Sequence, residues 1–271
     1  MSNEIDVLLP KLIGLTVAAG EAIMQVYDSP FSVEYKEDNS PLTIADKLSH
    51  EIISTGLRKL STYPVLSEEM AETAYAERKD WKTFWLVDPL DGTKEFIKHN
   101  GEFTVNIALI EDGKPIMGFI YIPVRKTLYY AIKNNGAYRI LNVFNALPLK
   151  TKDDISKNSE KLPVKHDEKS DYTIVASRSH NSPETDAFIE KKKKENGVVN
   201  LVSAGSSIKF CLVAEGKADA YPRFAPTMEW DSGAGQIIAE EAGKKVVLTD
   251  GITALSYNKQ SLVNPHFLVI S

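Results

Sequence analysis

A chain of 271 residues with 43% apolar and 25% charged side chains has the balance of a folded globular protein. It is long enough to bury a sizeable core, as one large domain or two smaller ones. Its net charge of −5 gives no reason to expect nucleic acid or an anionic membrane as the main partner, and an anionic substrate would need a local cation to reverse the field.

The single cysteine, Cys211, rules out an intrachain disulfide and fits a reducing compartment. Met1-Ser2-Asn3-Glu4 lacks the basic start and apolar run of a secretory signal. No stretch of about 18 apolar residues is expected in the chain, and so no membrane span. The expected location is the cytoplasm, with peripheral association at the inner membrane left open.

The first element is a helix. Ile5, Leu8, Leu9, Leu12, Ile13, Leu15, Val17, Ile23, Met24 and Val26 recur at helical spacing up to about Tyr27, and Asp28-Ser29-Pro30 stops the pattern. Phe31 to Lys36 reads as a strand before the polar loop Glu37 to Pro41. A second helix is expected from about Thr43 to Leu60, with Ile44, Leu48, Ile52, Ile53, Leu57 and Leu60 inward. Thr43 and Asp46 have the spacing of a capping box, a structural role sufficient for both. Tyr63 to Ser67 reads as a short strand ending in Glu68-Glu69, followed by a polar excursion to Lys82.

Phe84-Trp85-Leu86-Val87 then reads as a buried strand with Asp88 at its end. Pro89 cannot extend a central strand, so the chain is expected to turn there and bring Asp91 beside Asp88. Gly92 lets the backbone approach a ligand, and a helix starting near Thr93 offers free N–H groups to an anion. The plainer reading of this stretch is an Asp-Gly surface turn.

Runs at Phe103 to Ile110, Lys114 to Ile122, Thr127 to Ile132 and Gly136 to Ile140, separated by Glu111-Asp112-Gly113 and Asn134-Asn135-Gly136, predict an antiparallel meander. Lys150 to Ser170 reads as a polar surface loop or domain junction.

The second half alternates. Tyr172 to Ala176 is a strand leading into Ser177-Arg178-Ser179-His180, and a helix from about Ser182 carries the solvated run Lys191 to Lys194. Val198 to Val202 is a strand, Ile208 to Ala214 an apolar helix with Cys211 as a core residue, and Ala218 to Pro222 a strand ending in Arg223. Trp230-Asp231 opens a helix through about Ala242, where Asp231 has the place of an N-terminal cap or a dipole partner. Phe267 to Ile270 closes the chain as a strand.

Glu68, Asp88, Asp91 and Asp231 each fall at a strand end or a helix start. Gathered at one sheet edge, four like charges are costly unless cations neutralise them. Oxygen donors without a Cys or His cluster favour Mg²⁺ or Mn²⁺ over Zn²⁺. Two or more such ions about 4 Å apart can activate a water and stabilise a leaving oxygen, which favours a metal-dependent phosphatase.

Glu68-Glu69, Asp88-Pro89-Leu90-Asp91-Gly92-Thr93 and Trp230-Asp231-x-x-Ala234-Gly235 resemble the three signature motifs of the inositol monophosphatase superfamily, a family of magnesium-dependent, lithium-sensitive phosphatases. More narrowly, the chain is similar to the bacterial CysQ-type 3′(2′),5′-bisphosphate nucleotidases. That similarity rests on Asp88 through Ile97, Gly101 to Asn106, Ser177 to His180, Gly205-Ser206-Ser207-x-Lys209-Phe210-Cys211 and Tyr221-Pro222-Arg223-Phe224.

The resemblance implies an α+β or α/β fold, a five-layered α-β-α-β-α sandwich of the inositol monophosphatase / fructose-1,6-bisphosphatase type with a mixed, largely antiparallel first sheet. It places the site between an α+β half, 1–145, that carries most metal ligands and an α/β half, 146–271, that contributes Asp231 and the specificity residues. It gives Glu68, Asp88 and the Leu90 carbonyl to a first metal, Asp88, Asp91 and Asp231 to a second, and a third ion near Glu68, with Mg²⁺ the expected cofactor, Mn²⁺ an alternative and Li⁺ inhibitory. Asp46 and Thr93, with Glu68, form the expected catalytic set.

Glu68, Leu90, Asp91, Gly92, Thr93, His180, Ser206, Lys209, Arg223 and Asp231 form the expected substrate contacts. The implied reaction removes the 3′-phosphate of 3′-phosphoadenosine 5′-phosphate, or of its sulfated analogue. The alternatives are an inositol or sugar monophosphatase, or a catalytically silent binding protein on the same fold. The expected partner is a small-molecule nucleotide, with monomer and homodimer both compatible.

Overall fold

The computed structural model describes residues 2–30, 32–35, 41–70, 73–165, 171–176 and 182–271. Residues 37–40 of the loop expected at Glu37 to Pro41, the ends of the strand expected at Phe31 to Lys36, and Ser177 to His180 lie outside the described residues, while Pro41 begins a strand. In chain order the elements begin with α1 (Ser2–Tyr27), β1 (Val33–Tyr35), β2 (Pro41–Thr43), α2 (Ile44–Leu60), β3 (Val65–Ser67), a 3₁₀ turn at Glu68–Met70, α3 (Tyr75–Arg78), β4 (Thr83–Asp91) and α4 (Thr93–Ile97). The meander follows as β5 (Thr104–Glu111), β6 (Lys114–Ile122), β7 (Thr127–Ile132) and β8 (Gly136–Ile140), then α5 (Val143–Ala146), α6 (Lys152–Asn158) and β9 (Glu160–Lys161). The remainder is β10 (Tyr172–Ala176), α7 (Pro183–Asn196), β11 (Val199–Ser203), α8 (Ile208–Ala214), β12 (Ala220–Arg223), α9 (Glu229–Glu241), β13 (Lys245–Leu248) and β14 (Phe267–Ile270).

Seven strands form one sheet in the order β3-β4-β5-β6-β7-β8-β9. Only the β3–β4 pair is parallel; the rest are antiparallel. Successive side chains of a strand point to opposite faces, and here both faces are buried. Trp85, Val87, Ile107, Leu109, Phe119 and Tyr121 pack with α1 and α2 on one side. Phe84, Leu86, Ala108, Ile110, Ile120 and Ile122 pack with α8 and α9 on the other. That is why these strands read as unbroken apolar runs although the sheet is antiparallel. The Asp112-Gly113 turn between β5 and β6 has both residues at positive φ, the geometry that matches strand twist.

Five strands form the second sheet in the order β11-β10-β12-β14-β13. α8 and α9 fill the space between the sheets, and α7 covers the outer face of the second sheet through Ile174, Ile189 and Ala220. The layers therefore run α1/α2, first sheet, α8/α9, second sheet, α7, a five-layered α-β-α-β-α arrangement. The first sheet extends past residue 145 to Glu160–Lys161.

Several expectations are corrected. Pro89 does not end its strand: β4 continues to Asp91 through an irregularity in its pairing with β5, a place where the ladder needs no proline N–H. Ile44 and Leu48 are exposed, and the inward face of α2 is Ala45, Asp46, Ser49, Ile53, Ser54 and Leu57. Tyr63 and Pro64 lie outside β3. The 150–170 stretch carries α6, with a Thr151–Asp154 capping box, and β9. β13 was not anticipated.

Residues Val7–Tyr27 of α1 are long and apolar enough to cross a membrane by length and composition, against the expectation that no such run exists. Their Leu12, Ile13, Val17 and Ile23 are buried against the sheet and α2, so the composition is that of a core helix.

α9 lies directly on β6. A Cβ at Gly118 would fall 2.5 Å from the Ile237 side chain and 2.7 Å from the Ala234 carbonyl oxygen. Gly118→Ala should lower the free energy of unfolding by roughly 1–3 kcal/mol through overpacking, measured by denaturant titration; an unchanged midpoint would contradict this helix–sheet contact.

Candidate active site

The site forms where β3 and β4 end side by side. Parallel pairing of Ser67 with Val87 puts Glu68 and Asp88 next in register at the same edge, and the two carboxyl groups share a hydrogen bond. Between Asp88 and Asp91, β4 advances three residues while β5 advances two, from Asn106 to Thr104. Residues three apart on a regular strand point to opposite faces; one inserted residue turns them to the same side. The bulge is held by Leu90 N–H donating to Asp88 Oδ1 at 3.1 Å and by Ser49 Oγ donating to the Pro89 carbonyl at 2.7 Å.

Asp231 arrives from the first turn of α9, where its Oδ2 accepts the Met228 N–H at 2.8 Å. The expected capping role is real, and the same carboxylate joins the site. Asp88, Asp91 and Asp231 each bring a ligand oxygen within 4.8 Å of the others.

Burial pushes the Asp88 carboxyl well above its ordinary range, with the charges of Glu68, Asp91 and Asp231 adding to the effect. Burial and then Asp91 push Asp231 up to about 8. Like charges held this close raise each other's proton affinity unless a cation replaces the protons. The donors are hard oxygens on buried, fixed elements, which fits Mg²⁺ or Mn²⁺.

Asp91 also ties the end of β4 to the turn that precedes α8. Its Oδ2 accepts from Ser207 N–H and Ser206 Oγ, both at 2.7 Å, and from Ser207 Oγ at 2.8 Å. Asn106 Nδ2 donates to the same oxygen at 3.3 Å and to Ser207 Oγ at 2.9 Å. Gly92, next in the chain, has φ of +95°, and a Cβ there would lie 3.1 Å from the Glu102 carbonyl oxygen and 3.3 Å from Ser206 Cβ. The chain needs glycine at this crossing.

Asp46 and Thr93 meet at the same place. Thr43 N–H and Oγ1 donate to Asp46 Oδ2 at 2.7 and 2.6 Å, completing the capping box of α2. The other oxygen, Oδ1, accepts from Thr93 Oγ1 at 3.2 Å. The Thr93 hydroxyl proton is shared between Asp46 and the Leu90 carbonyl at 3.3 Å, so its lone pairs remain to accept from a water. Burial raises the Asp46 carboxyl above its usual range, opposed by the Thr43 hydrogen bonds.

A cavity of about 150 Å³ opens from Asp91, Gly92 and Asp231 toward Ser206, Lys209 and Arg223. Buried Lys209 donates to the Ser206 carbonyl at 2.6 Å and the Ala204 carbonyl at 3.3 Å, and its ammonium lies 5.4 Å from the Tyr221 ring centre. Burial lowers its pKa to about 8, against the opposing pull of Asp91. Arg223 donates to the Pro226 carbonyl at 2.8 Å, while its buried Nε has no partner among the described residues.

The expected residues Asp46, Glu68, Asp88, Leu90, Asp91, Gly92, Thr93, Ser206, Lys209, Arg223 and Asp231 therefore surround one region. His180 lies outside the described residues. Ser207, Asn106, Thr104 and Ser49 were not singled out from the sequence. Ser207, Asn106 and Thr104 sit inside motifs already marked, but a hydrogen bond across about 100 positions leaves no local signal.

The inositol monophosphatase family profile matches residues 5–267. The 3′(2′),5′-bisphosphate nucleotidase CysQ of Salmonella typhimurium is 44% identical over 271 residues, covering 97% of this chain and 99% of that protein. The crystal structure of CysQ from Bacteroides thetaiotaomicron, described as a bacterial member of the inositol monophosphatase family, superposes with a TM-score of 0.88 at 48% identity, over 100% of this chain and 97% of that one. The extragenic suppressor protein suhB of Bartonella henselae shares the fold, with a TM-score of 0.74 at 22% identity over 97% of this chain and 93% of that one.

The charge cluster has a consequence for stability. Asp88 and Asp231 hold protons in the folded, metal-free chain at pH values where unfolded carboxyls have released them. The metal-free fold therefore binds more protons than the unfolded chain, and it loses stability as pH rises from about 4 to about 8. Chelated protein should melt at a lower temperature at about pH 8 than at about pH 5.5, and Mg²⁺ should raise the transition more at the higher pH. A chelator-treated sample whose transition stays level or climbs over this range would contradict the clustered-carboxylate account.

Proposed function

The chain belongs to the inositol monophosphatase family, and from that premise we propose that it is a divalent-metal-dependent phosphatase that removes the 3′-phosphate of 3′-phosphoadenosine 5′-phosphate, giving AMP and phosphate. The observation that carries this reading is the meeting of Asp88, Asp91 and Asp231 within 4.8 Å beside the Thr93–Asp46 hydrogen bond. The bisphosphate nucleotidase relatives, similar over almost their whole length, support the substrate class. The sulfated analogue, 3′-phosphoadenylyl sulfate, presents the same 3′-phosphate and belongs to the same proposal.

Glu68, Asp88, Asp91, Asp231 and the Leu90 carbonyl would hold two or three Mg²⁺ ions, with Mn²⁺ able to substitute and Li⁺ inhibitory. When bound, such ions supply charge neutralisation, a more acidic water and stabilisation of the leaving oxygen. The protein's own groups position the rest. Thr93 Oγ1 accepts a proton from the attacking water as it passes its own to Asp46 Oδ1, so the proton ends on a carboxyl whose affinity burial has raised. Water attacks phosphorus opposite the ribose 3′-oxygen, the P–O bond to that oxygen breaks, and the oxygen is protonated from solvent.

The N–H groups of Gly92 and Thr93 hold the scissile phosphate. Lys209 and Arg223 line the cavity together with Ser206, and their positive charges would take the second phosphate of a bisphosphate nucleotide. Ser206 and His180 complete the proposed substrate contacts.

Purified protein with Mg²⁺ should release phosphate from 3′-phosphoadenosine 5′-phosphate in strong preference to inositol phosphates. Faster turnover of inositol phosphates would reassign the substrate, and no release from either would leave a binding protein. Asp91→Asn should stay folded while kcat falls by about two orders of magnitude or more; near-normal turnover would remove the metal scheme. Arg223→Ala should raise KM for the bisphosphate far more than for a simple phosphomonoester. Equal increases for the two would remove its role in specificity.

A further inference from the structure

None of the side chains in the strap 256–264, between β13 and β14, is part of the proposed active site, yet the strap is hydrogen-bonded both to the start of α9, which carries Asp231, and to Arg78 of α3, in the segment that follows Glu68. On one side it grips the start of α9. Asn264 Nδ2 donates to the Met228 carbonyl at 2.7 Å and to Ser232 Oγ at 2.9 Å, and its N–H donates to the Thr227 carbonyl at 2.7 Å. Glu229, fully buried two residues before Asp231, accepts Asn258 N–H at 2.7 Å, Lys259 N–H at 3.0 Å and Lys259 Nζ at 2.6 Å. The Glu229 N–H in turn donates to the Leu262 carbonyl at 2.9 Å. Met228, held in this way, is the residue whose N–H orients Asp231.

On the other side the strap holds the segment that follows Glu68. Buried Arg78 donates to Asn258 Oδ1 at 3.0 Å and to the carbonyls of Lys259 and Gln260 at 2.7 and 3.1 Å. Asn258 Nδ2 returns a bond to the Arg78 carbonyl at 2.7 Å. Arg78 Nε reaches the Thr73 carbonyl at 3.4 Å, and Thr73 N–H and Oγ1 close onto the Met70 carbonyl at 3.1 and 2.9 Å, the end of the turn that Glu68 opens.

A buried carboxylate–ammonium pair is weak evidence for stability, because an apolar pair of the same volume often does as well. Its better-attested use is to fix register. We propose that Glu229, Lys259, Asn258, Asn264 and Arg78 are positioning residues that set Asp231 and Glu68 at the spacing a divalent cation requires, acting through the strap and touching neither substrate nor metal. This inference rests on the metal-site reading above.

The test is Mn²⁺ binding to the full chain, followed by the electron paramagnetic resonance signal of free Mn²⁺. Glu229→Gln keeps the shape and removes the charge, and it should weaken Mn²⁺ binding about tenfold, the scale seen when partners of metal ligands are lost. The Mg²⁺ concentration for half-maximal turnover should rise in parallel, while KM for the nucleotide at saturating Mg²⁺ stays within about twofold. A folded Glu229→Gln protein that binds Mn²⁺ as tightly as the wild type would overturn the proposal, as would a change confined to KM. If that variant does not fold, Asn264→Ala carries the same expectation and the same contrary result. A wild-type chain that binds no Mn²⁺ would instead sink the metal-site reading itself.

Discussion

The extra residue between Asp88 and Asp91 turns two carboxylates that a regular strand would send to opposite faces toward one point. The geometry of the site follows from that local distortion. It is placed at a strand edge where β3 delivers Glu68 in register, and Pro89 fits it because a bulge does not require the missing N–H. It is also held from outside the strand by Ser49 on α2, and within it by the side chain of Asp88. Charge gathered in this way carries an electrostatic cost in the empty fold, which is the physical reason to expect a divalent ion there.

The second half of the chain reaches the carboxylate cluster through the Ser206-Ser207 turn and the start of α9. One oxygen of Asp91 takes hydrogen bonds from Ser206 and Ser207, and α9 delivers Asp231 while packing along the first sheet. Buried on nearly all sides, α9 belongs to the central helical layer and carries Asp231. Its first turn cannot shift without disturbing both the core and the site. Asp46 shows the same economy: one oxygen closes a helix cap and the other faces Thr93.

Much of this was legible in the sequence, for identifiable reasons. Strands buried on both faces leave continuous apolar runs, so β5 to β7 could be bounded closely. The acidic motifs lie at element ends, where periodicity breaks and functional side chains stand out. Other features were not legible. Apolar periodicity assigned Ile44 and Leu48 to the core, whereas α2 turns Asp46 and Ser49 inward because its first turns line the site. The continuation of β4 through Pro89 depends on pairing with β5, which no local window contains. The strap that ties Glu229 to Arg78 joins positions about 150 apart and leaves only scattered polar residues to be seen.

Anomalous diffraction from crystals grown with Mn²⁺ tests the central claim most directly. The account predicts anomalous peaks within coordination distance, about 2.1–2.3 Å, of carboxylate oxygens of Asp88, Asp91 and Asp231, with Glu68 at the same cluster. Ordered Mn²⁺ bound elsewhere on the protein, with these four carboxylates left without an ion, would contradict it.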